Sequence, residues 1–144
     1  MIEIQVVGPN SAELLCNVEA DVFDHPVRAE WLDEYLATPS NVLVVALHDG
    51  TVVGMASGLT YLHPDKPLTL FINEVGVSAK FQGQGVGKRL IAKMLEWGKE
   101  RGCTEAWVAT ETSNTAARRL YESTGGIPDE ETAIVYVYPL GSWQ

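Results

Sequence analysis

Residues 82–88 read Gln-Gly-Gln-Gly-Val-Gly-Lys. Glycines at a helix mouth let the backbone bend sharply and approach a ligand closely. The free N–H groups of a first helical turn, with the positive end of the helix dipole, bind an anion, above all phosphate. The cofactor-binding residues expected from this stretch are Gln82, Gly83, Gln84, Gly85, Val86, Gly87 and Lys88, with the two glutamines serving through backbone groups as much as side chains. Just upstream, Glu74 interrupts the apolar run Leu70–Val77. A carboxylate there must meet water, a partner or a substrate. Two readings stay open: an edge charge facing solvent, or a carboxylate that serves a site.

Other acids are placed to hold a cation. Asp21, Asp24, Glu74, Glu111 and the run Asp129–Glu131, with Glu130 at its centre, are candidates for binding ammonium groups of a substrate. Asp129–Glu131 reads equally as a polar loop. The net charge of −9 points the same way, or only to solubility. It argues against a nucleic-acid partner, which needs a basic face. Three histidines, His25, His48 and His63, lie far apart without metal-ligand spacing, so no metal is expected. The two cysteines, Cys16 and Cys103, read as buried free thiols of a reducing cytoplasm.

These groups need a scaffold. The chain has 144 residues, 46% of them hydrophobic, which suits one domain, 1–144, with a real core. No apolar run is long enough to span a membrane, and the N-terminus reads as a strand rather than a signal peptide. A cytoplasmic protein with no membrane partner is expected. Predicted elements are a strand Ile2–Val7, helices Ala12–Ala20 and Val27–Ala37, and strands Val42–His48, Thr51–Leu62 and Leu68–Ser78. Asp49-Gly50 between two apolar runs signals a hairpin. Val86, Leu90 and Met94 mark one face of a helix running to about Arg101, closed by Gly102. A strand Glu105–Thr110, a helix Asn114–Ser123 and a last strand Thr132–Tyr138 complete the order β-α-α-β-β-β-α-β-α-β. The expected fold is α/β: a mixed, mostly antiparallel central sheet flanked by helices. The glycine loop follows the fourth strand, not the first, which counts against a dinucleotide site.

The pattern resembles the GCN5-related N-acetyltransferase (GNAT) superfamily. Gln82-x-x-Gly85-x-Gly87 is similar to its pyrophosphate loop, and Asn114-x-x-Ala117-x-x-Leu120-Tyr121-x-x-x-Gly125 to its second block. Gly126 departs from it, standing where the family has Phe or Tyr. Ile72–Ser78 and Ala109–Thr112 look like the small aminoglycoside 3-N-acetyltransferases, with Glu74 and Glu111 where those enzymes carry Asp.

The resemblance implies acetyl-CoA as co-substrate and an acceptor that is a small polycationic amine. It also implies a homodimer. The strand holding Glu74 would splay from Glu105–Thr110 at a bulge near Asn73 and Glu74. Val75 and Val77 would then pair with the pantetheine amides, and the Val75 N–H would polarise the thioester. Catalytic residues so implied are Glu74, Val75 and Tyr121, the phenol donating to the departing thiolate. Tyr121 also sits at helical spacing with Ala117, where the bland reading is core. Asn114 reads as a helix cap, as a ligand of a pantetheine amide, or both, and Ala117 belongs to the same cofactor-binding block. Lys88, Arg118 and Arg119 are candidates for the adenosine phosphates, with a solvated helix face the equal reading for the two arginines. Trp31, Tyr35 and Trp143 are candidates to line a pocket, with core the simpler reading for the first two. Alternative functions are acetylation of another amine, a metabolite or a peptide N-terminus, and a non-catalytic acyl-CoA sensor.

Overall fold

A computed structural model of the chain describes residues 1–143. Five strands form one sheet in the order β1-β2-β3-β4-β5. They are β1 (Ile2–Val6), β2 (Asn41–His48), β3 (Thr51–Tyr61), β4 (Thr69–Val77) and β5 (Glu105–Val108). The first four pair antiparallel, and β5 pairs parallel to β4. The helices are α1 (Ala29–Ala37), α2 (Val86–Glu100) and α3 (Thr115–Ser123). The mixed sheet with flanking helices is the architecture expected. No helix among the described residues is long and apolar enough to cross a membrane.

The unbroken apolar run of β2 has a simple cause. Val42, Val44 and Ala46 face one core, with Leu90, Ile91, Met94 and Trp97 of α2. Leu43, Val45 and Leu47 face a second core, with Val7, Leu15 and Val22. A strand covered on both faces has no polar side to alternate with. The hairpin turn between β2 and β3 is at Asp49-Gly50, both with positive φ.

Three expectations need correction. The helix predicted for Ala12–Ala20 is only a short 3-10 turn, Ala12–Leu15. Beyond it the backbone is used by the sheet: Val18 bridges Val52, and the Val52 N–H donates to the Asn17 carbonyl at 2.8 Å. The cysteines are free but not buried. Cys16 is exposed at the end of that aborted helix, and Cys103 is half-buried. The last strand, Thr132–Tyr138, does not form among the described residues: the segment has no regular secondary structure and pairs with no strand.

Candidate active site

The site begins at a defect in β4. Glu74 pairs with Ser57, but Ile72 pairs with Gly58, so Asn73 is an extra residue. This is a β-bulge, where expected, and it bends the strand. The β4–β5 ladder runs from Thr69–Glu105 to Ile72–Val108 and stops there. From Asn73 onward β4 has β3 on one side and an open edge on the other.

One face of that opening is a cleft of about 550 Å³. Val75 and Val77 of β4, the loop residues Gln82, Gly83, Gly85, Val86, Gly87 and Lys88, and Asn114, Ala117 and Tyr121 of the α3 region all line it. Most of the cofactor-binding residues expected from the sequence are thus brought together. The first hydrogen bond of α2 runs from the Arg89 N–H to the Gly85 carbonyl. The N–H groups of Val86, Gly87 and Lys88 therefore have no partner inside the helix. Gly83 and Gly85 have φ of +78° and +77°, and a Cβ on either would meet open space. Their conformation excludes ordinary residues and leaves room for a ligand. A glycine-rich bend, free amides and Lys88 together fit a pyrophosphate.

Some of the expected residues also hold the structure together. Gly87 packs against α3: a Cβ there would stand 3.1 Å from the Leu120 side chain. The Gln82 amide donates to the Val77 carbonyl at 3.0 Å and braces the loop against β4. Gln84 does not line the cleft, and its side chain reaches back towards the Lys80 carbonyl at 3.5 Å. Arg118 donates to the Thr112 carbonyl at 3.0 Å, whereas Arg119 lines the cleft. Phe81, Ala116 and Ser123 also line it and were not singled out from the sequence, as does Leu120 of the Asn114–Gly125 block. For Ala116 and Ser123 the available signal is their place on the helix that carries Ala117 and Tyr121; Phe81 lies in the turn before the glycine loop and carries no such signal.

Asn114 caps α3, its Oδ1 accepting from the Ala117 N–H at 3.1 Å. The cap uses only the amide oxygen, so the Nδ2 donor remains for a ligand in the cleft it lines. Tyr121 is half-buried between cleft and core, and burial pushes its phenol above the ordinary value. It stays a protonated donor at neutral pH. Gly126 has a local cause. Its N–H donates to the Tyr121 carbonyl at 2.8 Å, and a Cβ would stand 2.8 Å from that same oxygen.

Glu74 faces a different neighbourhood. Burial first, then the Asp24 carboxylate beside it, push Glu74 above the usual carboxylate range. Asp24 comes from the segment before α1. That segment lies so close to β4 that a Cβ on Gly76 would stand 2.4 Å from the Val22 carbonyl. Asp21 anchors the segment from the other side, accepting from the Ala79 N–H at 2.9 Å. That bond, with one from Ser78, lowers its pKa, so Asp21 serves the loop start directly. Glu111 is exposed on the turn after β5, where its carbonyl accepts from the Asn114 N–H at 3.0 Å. Glu130 is exposed in the C-terminal segment and does not line the cleft.

Tyr35 belongs to the structure of the bulge. Its hydroxyl donates to the Val42 carbonyl at 2.6 Å and accepts from the Gly58 N–H at 3.3 Å, opposite the extra residue. Trp31 and Trp143 pack on each other, with ring centroids 5.4 Å apart.

The comparisons with known proteins agree with this geometry. The model of the acetyltransferase (GNAT) family matches residues 12–126. The N-alpha-acetyltransferase RimI of Mycobacterium tuberculosis is 34% identical over 116 residues, 79% of this chain and 71% of that protein. The aminoglycoside N(6')-acetyltransferase type 1 of Salmonella typhimurium is 30% identical over 120 residues, 79% of this chain and 81% of that one. Among solved structures, aminoglycoside acetyltransferase meta-AAC0020, from an uncultured soil metagenomic sample, superposes with a TM-score of 0.80 at 23% identity, covering 97% of both chains. Aminoglycoside N-acetyltransferase AAC(6')-Iy in complex with CoA gives 0.75 at 25%, covering 96% of this chain and 94% of that one. Where these names carry a position it is 6', not the 3-N position to which the sequence resemblance points. The matched span contains both the glycine loop and the Asn114–Gly125 block, and the chain is an N-acetyltransferase belonging to the GNAT family.

Proposed function

We propose that this enzyme transfers the acetyl group of acetyl-CoA to an amine of a small polycationic acceptor, an aminoglycoside, at its 3-N position. The observation that carries the reading is the division of labour around the open edge of β4. A phosphate-ready cleft lies on one side, and the carboxylate pair Asp24 and Glu74 on the other. Two carboxylates held together suit a substrate with several ammonium groups. The aminoglycoside acetyltransferases among the relatives and structural neighbours support an acceptor of that class.

In the proposed reaction the loop Gln82–Lys88 holds the pyrophosphate, and the open edge at Val75 and Val77 aligns the pantetheine. Glu74 takes the proton from the acceptor ammonium, directly or through water. A pKa above the ordinary carboxylate value makes it a better base for that task. The free amine attacks the thioester carbonyl carbon, whose oxygen is polarised by the Val75 N–H. As the carbon–sulfur bond breaks, the acylated nitrogen loses its remaining extra proton to solvent, and Tyr121 gives its proton to the thiolate and is reprotonated from solvent. Glu111 holds a remote ammonium.

A second reading is favoured by one observation, the 34% identity to RimI: the acceptor is a peptide α-amine. The test is acetyl-CoA turnover against aminoglycosides, polyamines, amino acids and peptides, with the acetylated nitrogen located by NMR. Preferential turnover of aminoglycosides with the acetyl group on N-3 is expected. A 6'-N product corrects the position alone. Preference for peptides promotes the second reading, and a neutral amine accepted as readily as a polycation removes the role of the carboxylate pair.

A further inference from the structure

Ser57 is only 8% exposed, yet its hydroxyl has no hydrogen-bond partner. Among the described residues one other buried side-chain atom lacks a partner, Nδ1 of His48, at the opposite end of β2 from the residue that pairs with Ser57. A buried hydroxyl left unpaired costs stability that an alanine would not. Ser57 stands in β3 directly opposite Glu74. Opposed side chains of antiparallel strands point to one face, with Cβ atoms about 5 Å apart. Two neighbours identify that face. Met55, two residues before Ser57, belongs to the second core. A Cβ on Gly76, two residues after Glu74, would meet the Val22 carbonyl and the Met55 side chain. Ser57 and Glu74 thus share the face covered by the segment that carries Asp24, across the sheet from the cleft lined by Val75 and Val77.

The polar groups around this hydroxyl are otherwise engaged. The Tyr35 hydroxyl of α1 spends its proton on the Val42 carbonyl at 2.6 Å and accepts from the Gly58 N–H at 3.3 Å. Asp21 is bound to the Ala79 N–H. Asp24 bonds to Glu74, and a hydrogen bond between two carboxyl groups needs a proton held between them. Once Glu74 has lost that proton to act as a base, the two carboxylates repel, and Glu74 needs another donor. We propose that Ser57 is a positioning residue for acetyl transfer: its hydroxyl donates to the ionised Glu74 carboxylate, holding one oxygen and leaving the other free for the acceptor ammonium. The ammonium proton moves to the free oxygen and from there to solvent, while Ser57 keeps its own. The inference rests on the reading of Glu74 as the base.

The test is Ser57→Ala, read by NMR titration of the Glu74 carboxyl, assigned with Glu74→Gln, and by steady-state kinetics with the amine preferred in the turnover panel. A donor to the charged form holds a carboxyl pKa down. Its loss should move the Glu74 titration, and the acid limb of kcat/KM with it, to higher pH. Asp24→Asn moves the limb the other way. Tyr35 also faces Glu74, and it stays protonated in this range, because burial and then the Glu74 charge hold its phenol above the ordinary value. In Ser57→Ala kcat should fall roughly 10- to 100-fold, as a misplaced reacting group costs, with KM for acetyl-CoA unchanged. The melting temperature should hold or rise, since an unpaired buried hydroxyl is gone. In the Glu74→Gln background the same change should cost nothing further. A Glu74→Gln enzyme of wild-type rate overturns the base reading and this role with it. With that variant impaired, a Glu74 titration that does not rise in Ser57→Ala overturns the role of Ser57 alone. So does an unchanged rate, or a rate loss as large in the Glu74→Gln background as in the wild type.

Discussion

A Cβ placed on Gly58 would stand 2.6 Å from the Phe71 carbonyl oxygen. Gly58 faces β4 at the point where Asn73 is the extra residue, and its N–H is held by the Tyr35 hydroxyl. The bulge that parts β4 from β5 thus depends on a missing side chain in the neighbouring strand.

Gly58→Ala is therefore expected to destabilise the protein by about 1–3 kcal/mol, as overpacking against backbone does. It should also reduce kcat, because the bulge sets the direction of Glu74 and Val75. Gly8→Ala, where a Cβ meets nothing within 4 Å, is the control and should be close to neutral. Urea unfolding and steady-state kinetics of both variants check this. A Gly58→Ala enzyme of wild-type stability and rate would show that β4 does not need the close approach.

Gly85→Val should abolish tight acetyl-CoA binding. Gly85 has φ of +77°, a conformation a β-branched residue adopts only under strain, and it lies at the mouth of α2. Calorimetry should show one molecule bound per chain in the wild type and a large loss of affinity in the variant. Unchanged affinity would reject the loop as the pyrophosphate site.

Tyr121→Phe should leave acetyl-CoA affinity nearly intact and lower turnover. Removing a general acid costs typically about 10²- to 10⁴-fold. The ring, which packs against the core, is kept. A wild-type rate, measured where chemistry limits turnover, would return Tyr121 to a packing role.

Glu74 and Asp24 should be separable through pH. Glu74 must be deprotonated to act as a base, so kcat/KM falls as pH drops through its raised pKa. Asp24→Asn removes a neighbouring negative charge that helps raise that pKa, so the acid limb should move to lower pH. Glu74→Gln should lower kcat at every pH, since the base is gone. Glu111→Gln should mainly raise KM for a polycation, as should added salt. An acid limb that stays in place in Asp24→Asn would assign it to another group.

Several elements were legible because their signals are local. The α2 stripe of Val86, Leu90 and Met94, the Asp49-Gly50 turn, and the spacing of Gly85, Gly87, Asn114 and Tyr121 each depend on a few neighbouring residues, and the structure preserves them. From them the sequence by itself determined the sheet with its flanking helices and the cleft at the mouth of α2. Tertiary structure decided what local pattern does not contain. Ala12–Ala20 has helical composition, but the turn stops at Leu15 and Val18 bridges Val52 of β3. Gly87 reads as part of a phosphate loop, yet its missing Cβ admits Leu120 from α3. Asp21 and Asp24 look alike in sequence. One is bonded to the Ala79 N–H and the other is set beside Glu74, because the segment between them crosses β4 at Gly76. Such choices depend on residues dozens of positions apart, whose burial and hydrogen bonding exist only once the chain has folded.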